Sequence, residues 1–140
     1  MPFQRILVAI DGSEGSERAL GKALELARLA NATVLALAVE GPLPVYAATI
    51  GEVDEVKREK DAFFAGLLRH VREEAKRAHV PLEAELRAGH AAEVIVRYAN
   101  ERDADLIVLG HRGHFLRNHL LGSTADRVAE HAGCPVMIVR

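Results

Sequence analysis

Hydrophobic and polar residues divide the chain into two alternating kinds of segment. Short, continuous apolar runs are typical of strands that are buried on both faces of a sheet. Such runs predict strands at residues 5–10, 33–39, 105–109 and 135–139. Residues 81–87 instead alternate between apolar and charged side chains, which predicts a half-exposed strand near a sheet edge.

Between these strands, apolar residues recur every three or four positions, as they do on the buried face of a helix. The spacing predicts a helix that ends at Asn31 and further helices near residues 53–78, 92–102 and 124–132. The residues expected to face the core in the first two helices are Leu20, Ala23, Leu24, Ala27, Val56, Phe63, Leu67, Val71 and Ala75. Asp11 and Glu14 have the spacing of a capping box, which predicts that Asp11 caps the first helix.

The regular alternation of strands and helices predicts an α/β fold with one domain, residues 1–140. Strands joined through helices form a parallel sheet that is open, doubly wound and covered by helices on both faces. Ligands of such sheets bind at the carboxyl ends of the strands, where the strand order reverses. The pattern does not reveal which strands flank that reversal.

Charge and cysteine content narrow the functional classes. The chain of 140 residues carries a formal net charge of −2, so it lacks the general basic field that holds nucleic acid. No apolar stretch is long enough to span a membrane, and the N-terminal apolar run is too short for a signal peptide. A lone cysteine, Cys134, fits a reducing compartment. We therefore expect a cytoplasmic protein that binds neither nucleic acid nor membrane.

The stretch GHRGHFLRNHLLGST, residues 110–124, contains the parts of a phosphate site. Gly110 and Gly113 follow a predicted strand and would let a ligand approach the main chain. Gly122, Ser123 and Thr124 open a predicted helix, whose free N–H groups and dipole favour anions. Arg112 could pair with phosphate oxygens. The same glycines are also ordinary turn residues, and neither the P-loop nor the dinucleotide-binding motif is present.

Asp11 and the histidines add candidate chemistry to the loops after the first and fourth strands of the predicted fold. The Asp11 carboxylate, at the end of the first strand, could accept a hydrogen bond from a ribose hydroxyl or hold Mg²⁺ through water. His111, His114 and His119 are close in the chain, but their spacing matches no zinc motif. We expect His111 and His114 to line the phosphate loop and to strengthen anion binding as the pH falls.

The chain as a whole resembles the universal stress proteins. The resemblance rests on RILVAIDGSEGSERAL near the start, AGHAAEVIVRYANERDADLIVLGHRG in the middle, and LLGSTADRVAEHAGCPVMIVR at the end. Nucleotide-binding members of that family carry the motif G-x2-G-x9-G-[ST]. Gly110, Gly113, Gly122 and Ser123 match it, except that eight residues rather than nine separate Gly113 from Gly122.

The resemblance implies a five-stranded sheet of order 3-2-1-4-5, the adenine nucleotide alpha-hydrolase-like arrangement, with its switch point between strands one and four. It implies ATP as the ligand. The residues it implies for adenine and ribose are Ala9, Ile10, Asp11 and Val39, and those for the phosphates are Gly110, His111, Arg112, Gly113, His114, Gly122, Ser123 and Thr124. It also implies a homodimer formed through the last strand, Pro135 to Val139, whose edge would otherwise stay open.

The expected function is that of an ATP-binding stress-response protein with little or no hydrolysis, since no acid that could position water is apparent beside the phosphate loop. Two alternatives remain open. One is an interaction module of the same fold that binds no nucleotide, which the shortened glycine spacing favours. The other is an enzyme of nucleotide chemistry, such as a slow ATPase or a phosphotransferase.

Overall fold

Strands and helices alternate along the chain in the order that the hydrophobic pattern predicts. The computed structural model describes residues 3–41, 50–111 and 123–140. The elements in these ranges are β1 (Arg5–Ile10), α1 (Glu14–Ala30), β2 (Thr33–Glu40), α2 (Ile50–Ala78), β3 (Leu82–Ala88), α3 (Ala91–Glu101), β4 (Leu106–Gly110), α4 (Ser123–His131) and β5 (Val136–Val139). None of these described helices combines the length and the apolar character needed to cross a membrane.

The strands form one parallel sheet in the order β3-β2-β1-β4-β5. This confirms the predicted fold class and strand order. β1 lies between β2 and β4, so the chain winds outward in both directions from the centre of the sheet. Loops after β1 and β4 therefore leave in opposite directions and open a crevice at the carboxyl ends of these strands.

Each face of the sheet has its own apolar core. Ile6 and Val8 of β1 point to the face covered by α1 and α2, whereas Leu7 points to the face covered by α3 and α4. Successive side chains of a strand point to opposite faces, so a central strand with helices on both sides must be apolar at every position. This is why the central strands appear in the sequence as continuous apolar runs.

The N-terminus of α1 differs from the prediction. Its N-cap is Ser13 and not Asp11, because the Ser13 Oγ accepts a hydrogen bond from the Ser16 N–H at 3.1 Å. Gly12, with a φ of 84°, adds a turn between the strand and the helix and moves the cap along the chain. The predicted end is confirmed: Asn31 adopts the left-handed conformation, with a φ of 57°.

The long helix α2 also differs in part. It begins at Ile50 rather than Val53, and its first turns are exposed. Phe63, predicted to face the core, is 51% exposed, while its neighbour Phe64 is 8% exposed and packs into the core. Val56 is likewise exposed, because this half of the helix extends beyond the sheet-covering core. The remaining members of the predicted stripe, Leu67, Val71 and Ala75, are buried as predicted.

β3 lies at one edge of the sheet, as its alternating pattern predicts. Charged groups tie this edge to α3: Arg102 pairs with Glu83, and the Arg87 guanidinium pairs with Glu101 at 2.7 Å. Arg87 also lies 4.6 Å above the centre of the fully buried Tyr98 ring. These contacts hold the edge strand against the helix that borders the crevice.

Candidate functional site

A cavity of about 160 Å³ lies at the carboxyl ends of the central strands. It opens between the end of β1 and the end of β4, where the strand order reverses. Its walls come from three strands and from the first turns of three helices. The lining residues are Ala9, Ile10, Asp11, Ser13, Ser16, Leu37, Val39, Ala91, Ile95, Leu109, Gly110, Thr124 and Ala125.

The turn between β1 and α1 is held by its own hydrogen bonds. The Ser13 N–H donates to the Asp11 Oδ1 at 2.9 Å, and the Asp11 N–H donates to the Ser16 Oγ at 3.2 Å. The Ser16 hydroxyl in turn donates to the Ser13 carbonyl at 3.1 Å. Ser16 is only 6% exposed, and these bonds satisfy its hydroxyl. The network fixes the Asp11 carboxylate at the mouth of the cavity.

Gly110, at the end of β4, lies against the first turn of α1. A Cβ atom at Gly110 would lie 2.3 Å from the carbonyl carbon and oxygen of Gly15 and 2.9 Å from the Ser16 nitrogen. A Cβ at Gly15 would in turn lie 3.0 Å from the His111 carbonyl oxygen. The two glycines therefore allow the loops after β1 and β4 to touch through their main chains. This gives Gly110 a packing role that is independent of any ligand, and sequence reasoning did not single out Gly15.

The structure brings together the described members of the predicted site. Ala9, Ile10, Asp11, Val39, Gly110 and Thr124 all line the cavity. His111 lies beside it, half-buried, and its main-chain N–H donates to the Val139 carbonyl at 2.8 Å. The remaining predicted residues, Arg112, Gly113, His114, Gly122 and the side chain of Ser123, lie outside the described residues, as does His119.

Several lining residues were missed by sequence reasoning. Leu37 of β2 and Leu109 of β4 were identified as strand residues. A strand that is buried on both faces is apolar throughout, so the sequence does not mark which of its residues line a cavity. Ala91 and Ile95 come from α3. Small residues at the start of that helix were the available signal, since they leave room beside the strand ends.

The start of α4 adds a polar side to the cavity. Thr124 is the second residue of this helix, where main-chain N–H groups lack partners within the helix and the helix dipole favours negative charge. Among the described residues, no group of three or more His, Cys, Asp or Glu side chains could hold a metal ion. His131 lies at the other end of α4, with its Nδ1 3.0 Å from the Arg127 carbonyl oxygen.

A larger and shallower groove, of about 800 Å³, lies between α1 and α2. Its rim is charged, with Glu25, Arg28, Glu74 and Arg77 among the lining residues, and Arg77 pairs with Glu74. This groove borders the last turns of both helices, at the end of the sheet opposite to the crevice. The strand-end cavity is smaller than this groove, but we take it as the candidate site because parallel sheets bind ligands at the carboxyl ends of their strands.

Comparison with known proteins decides the family. The sequence model described as "Universal stress protein family" matches residues 2–140. The chain belongs to the universal stress protein family. It is 33% identical to "Universal stress protein YxiE" of Bacillus subtilis, across 99% of each sequence. It is also 36% identical to a universal stress protein of Thermus aquaticus, again across 99% of each sequence.

Solved structures of universal stress proteins share the fold. "Universal stress protein UspA from Lactobacillus plantarum" superposes with a TM-score of 0.83 at 26% identity, covering 100% of this chain and 99% of the other. A universal stress protein in complex with cAMP superposes with a TM-score of 0.79 at 27% identity, covering 100% and 98%. The Archaeoglobus fulgidus universal stress protein in complex with dAMP gives a TM-score of 0.66 at 26% identity, covering 100% of both chains.

Proposed function

We propose that this universal stress protein binds an adenine nucleotide, with ATP as the expected ligand, in the cavity between the ends of β1 and β4. The nucleotide would act by changing the conformation or the partners of the protein in a stress response. Two structural relatives are described as complexes with cAMP and with dAMP, so the shared chemistry is an adenine base on a phosphorylated sugar.

The lining and the size of the cavity suit the base and sugar of such a ligand. Its inner walls are apolar, and its volume of about 160 Å³ is below the roughly 300–1,000 Å³ typical of complete small-molecule sites. The enclosed part would therefore take the flat base, and the remainder of the nucleotide would lie along the open side. There the Asp11 carboxylate would accept a hydrogen bond from a ribose hydroxyl.

The phosphates would lie towards the start of α4, where Thr124 and the N–H groups that have no partner within the helix favour anions. The residues that would complete this part of the site are His111, Arg112, Gly113, His114, Gly122 and Ser123. Of these, His111 and the main chain of Ser123 lie within the described residues. We expect Gly113→Val to abolish binding, because its branched side chain would occupy phosphate space. Unchanged affinity in that variant would place the phosphates elsewhere.

The cavity favours binding over turnover. Asp11 is the one acidic side chain among the described lining residues, and it would lie on the sugar side of the proposed ligand. Hydrolysis requires a positioned water and stabilisation of the transferring phosphoryl group. Asp11 could instead hold Mg²⁺ through water. Incubation with ATP and Mg²⁺ tests this: many turnovers per minute would indicate an enzyme.

The single observation that carries the proposal is a carboxylate at the rim of an apolar cavity, located at the switch point of a doubly wound sheet. The test is calorimetric titration with ATP, ADP, AMP and cyclic AMP in parallel. We expect saturable binding of at least one of them and weaker binding by Asp11→Ala. Absence of heat with all four nucleotides would refute the proposal.

The contact between Gly110 and Gly15 supports a second candidate, an interaction module that binds no nucleotide. In that case the first glycine of the motif serves packing alone. Heating freshly purified protein and separating the released material by chromatography distinguishes the two candidates, because a nucleotide-binding protein carries bound nucleotide through purification when its affinity is high. The calorimetric titration covers the case of weak binding.

We also propose, from the family resemblance, a homodimer that forms through β5 in the cytoplasm. β5 is the edge strand next to β4. The carbonyls of Pro135 and Val139 accept hydrogen bonds from β4 and from His111, so the alternate residue Ile138 presents its N–H to the open edge. Ile138→Pro would then dissociate the dimer in light-scattering measurements, whereas the control Ile138→Ala retains the N–H. A monomeric wild type would contradict this proposal.

A further inference from the structure

Helix α2 touches the turn that carries Asp11, and it does so through an exposed aromatic residue. Phe63 is 51% exposed although it is a large apolar side chain, and its ring lies edge-on to the buried ring of Phe64, with centroids 5.1 Å apart. A single exposed apolar side chain needs no explanation of its own, so the role of Phe63 follows from what its ring contacts.

The contact itself is with Gly12. The Phe63 Cζ lies 3.0 Å from the point that a Cβ atom at Gly12 would occupy, and Cε1 lies 3.4 Å from it. Gly12 has a φ of 84°, a conformation that side-chain-bearing residues rarely adopt. The turn therefore requires glycine for its backbone angle, and the Phe63 ring occupies the space beside Gly12 towards which a side chain would point.

A second contact ties the same part of α2 to the exit of β2. One helical turn before Phe63, the Lys60 Nζ lies 3.4 Å from the Gly41 carbonyl oxygen. The helix thus reaches the carboxyl ends of both strands that bear the predicted adenine and ribose contacts. Its contact with the β1–α1 turn is by van der Waals packing, which is short-range and depends on the size of the ring.

From these contacts we infer that Phe63 is a positioning residue for the ligand site: its ring packs against Gly12 and so keeps the Asp11 carboxylate in place. The route runs through one residue, since Gly12 is bonded to Asp11 and to Ser13, whose N–H holds the Asp11 Oδ1. The role in ligand binding rests on the proposed function. The effect on the turn does not depend on it.

Amide hydrogen exchange measured by NMR without ligand tests the effect on the turn. In Phe63→Ala, exchange of the Ser13 amide is expected to rise about tenfold, as local opening of the turn becomes easier. Exchange of the Leu7 amide, in the central strand, reports global unfolding and is expected to stay unchanged. The matched control is Leu29→Ala, which removes an 80% exposed side chain from the far end of α1 and should alter neither amide.

Phe63→Leu provides the second variant, because it keeps an apolar side chain beside Phe64 but does not reach Gly12 as the ring does. Faster exchange at Ser13 with unchanged exchange at Leu7 in this variant also supports the inference. Wild-type exchange at Ser13 in both variants would overturn it. Equal acceleration at Ser13 and Leu7 in both variants would also overturn it, because the ring would then support only the fold.

The affinities for AMP and for an analogue without ribose hydroxyls test the role of Phe63 in ligand binding. Wild type is expected to prefer AMP over 2′,3′-dideoxy-AMP, which lacks the hydroxyls that Asp11 would bind. Phe63→Ala should reduce AMP affinity by about tenfold, the lower end for a hydrogen bond to a charged group, and lose most of this preference. An unchanged preference would overturn the role in the site. If wild type binds no adenine nucleotide, the proposed function fails, and the exchange measurements still decide the role of Phe63.

Discussion

The contact between Gly110 and Gly15 allows one prediction to be worked out in detail. Gly110→Ala places a methyl group 2.3 Å from the carbonyl carbon and oxygen of Gly15, and both of these are backbone atoms. An ordinary contact of this kind is roughly 3.5 Å, so the strand end and the first turn of α1 must separate by about 1 Å. Because no flexible side chain can move aside, we expect a loss of about 3 kcal/mol in the free energy of unfolding, the upper end of the usual cost of overpacking.

The assay is urea unfolding followed by circular dichroism, without nucleotide. Gly21→Ala is the matched control: it makes the same chemical change within α1, where a Cβ would meet nothing within 4 Å. That variant should be more stable than wild type by about 0.5–1 kcal/mol, because alanine favours the helix. A Gly110→Ala protein as stable as wild type would refute the packing argument and would leave the glycine to ligand binding alone.

Three other predictions concern the cap, the cysteine and the edge network. Ser13→Ala should lower the free energy of unfolding in urea by about 1 kcal/mol, because Ser13 is the N-cap of α1; an unchanged midpoint would contradict this. Burial raises the pKa of the Cys134 thiol, so the thiol ionises at a lower pH in the unfolded chain than in the folded protein. The free energy of unfolding should therefore fall as the pH rises above the unfolded pKa. In Cys134→Ala this contribution to the pH dependence should be absent. Arg102→Met removes the donor 3.1 Å from the buried Tyr98 hydroxyl and should cost about 1–2 kcal/mol in the same urea assay, whereas an unchanged midpoint would show that water replaces the guanidinium.

Local pattern was sufficient for the elements of this protein. β1 was predicted at its observed bounds, since a strand covered on both faces requires an apolar residue at every position. Asn31 was recognised as the end of α1 because it is one of the few residues that adopt the left-handed conformation readily. The strand order, by contrast, came from the resemblance to universal stress proteins, because periodicity carries no information about which strands are neighbours.

The details of the site were decided by tertiary structure. The resemblance implied that Asp11 and Gly110 lie at neighbouring strand ends. The sequence could not show that Ser13 is the helix cap, or that Phe63 packs against Gly12 while Phe64 enters the core. Nor could it show that the main chains at Gly110 and Gly15 touch, which leaves no room for a side chain at Gly110. Hydrophobic periodicity reflects interactions within a few residues along the chain. The close contacts of α1 with β4 and of α2 with the β1–α1 turn depend instead on how elements that are distant in the chain pack together. Only the tertiary structure determines that packing.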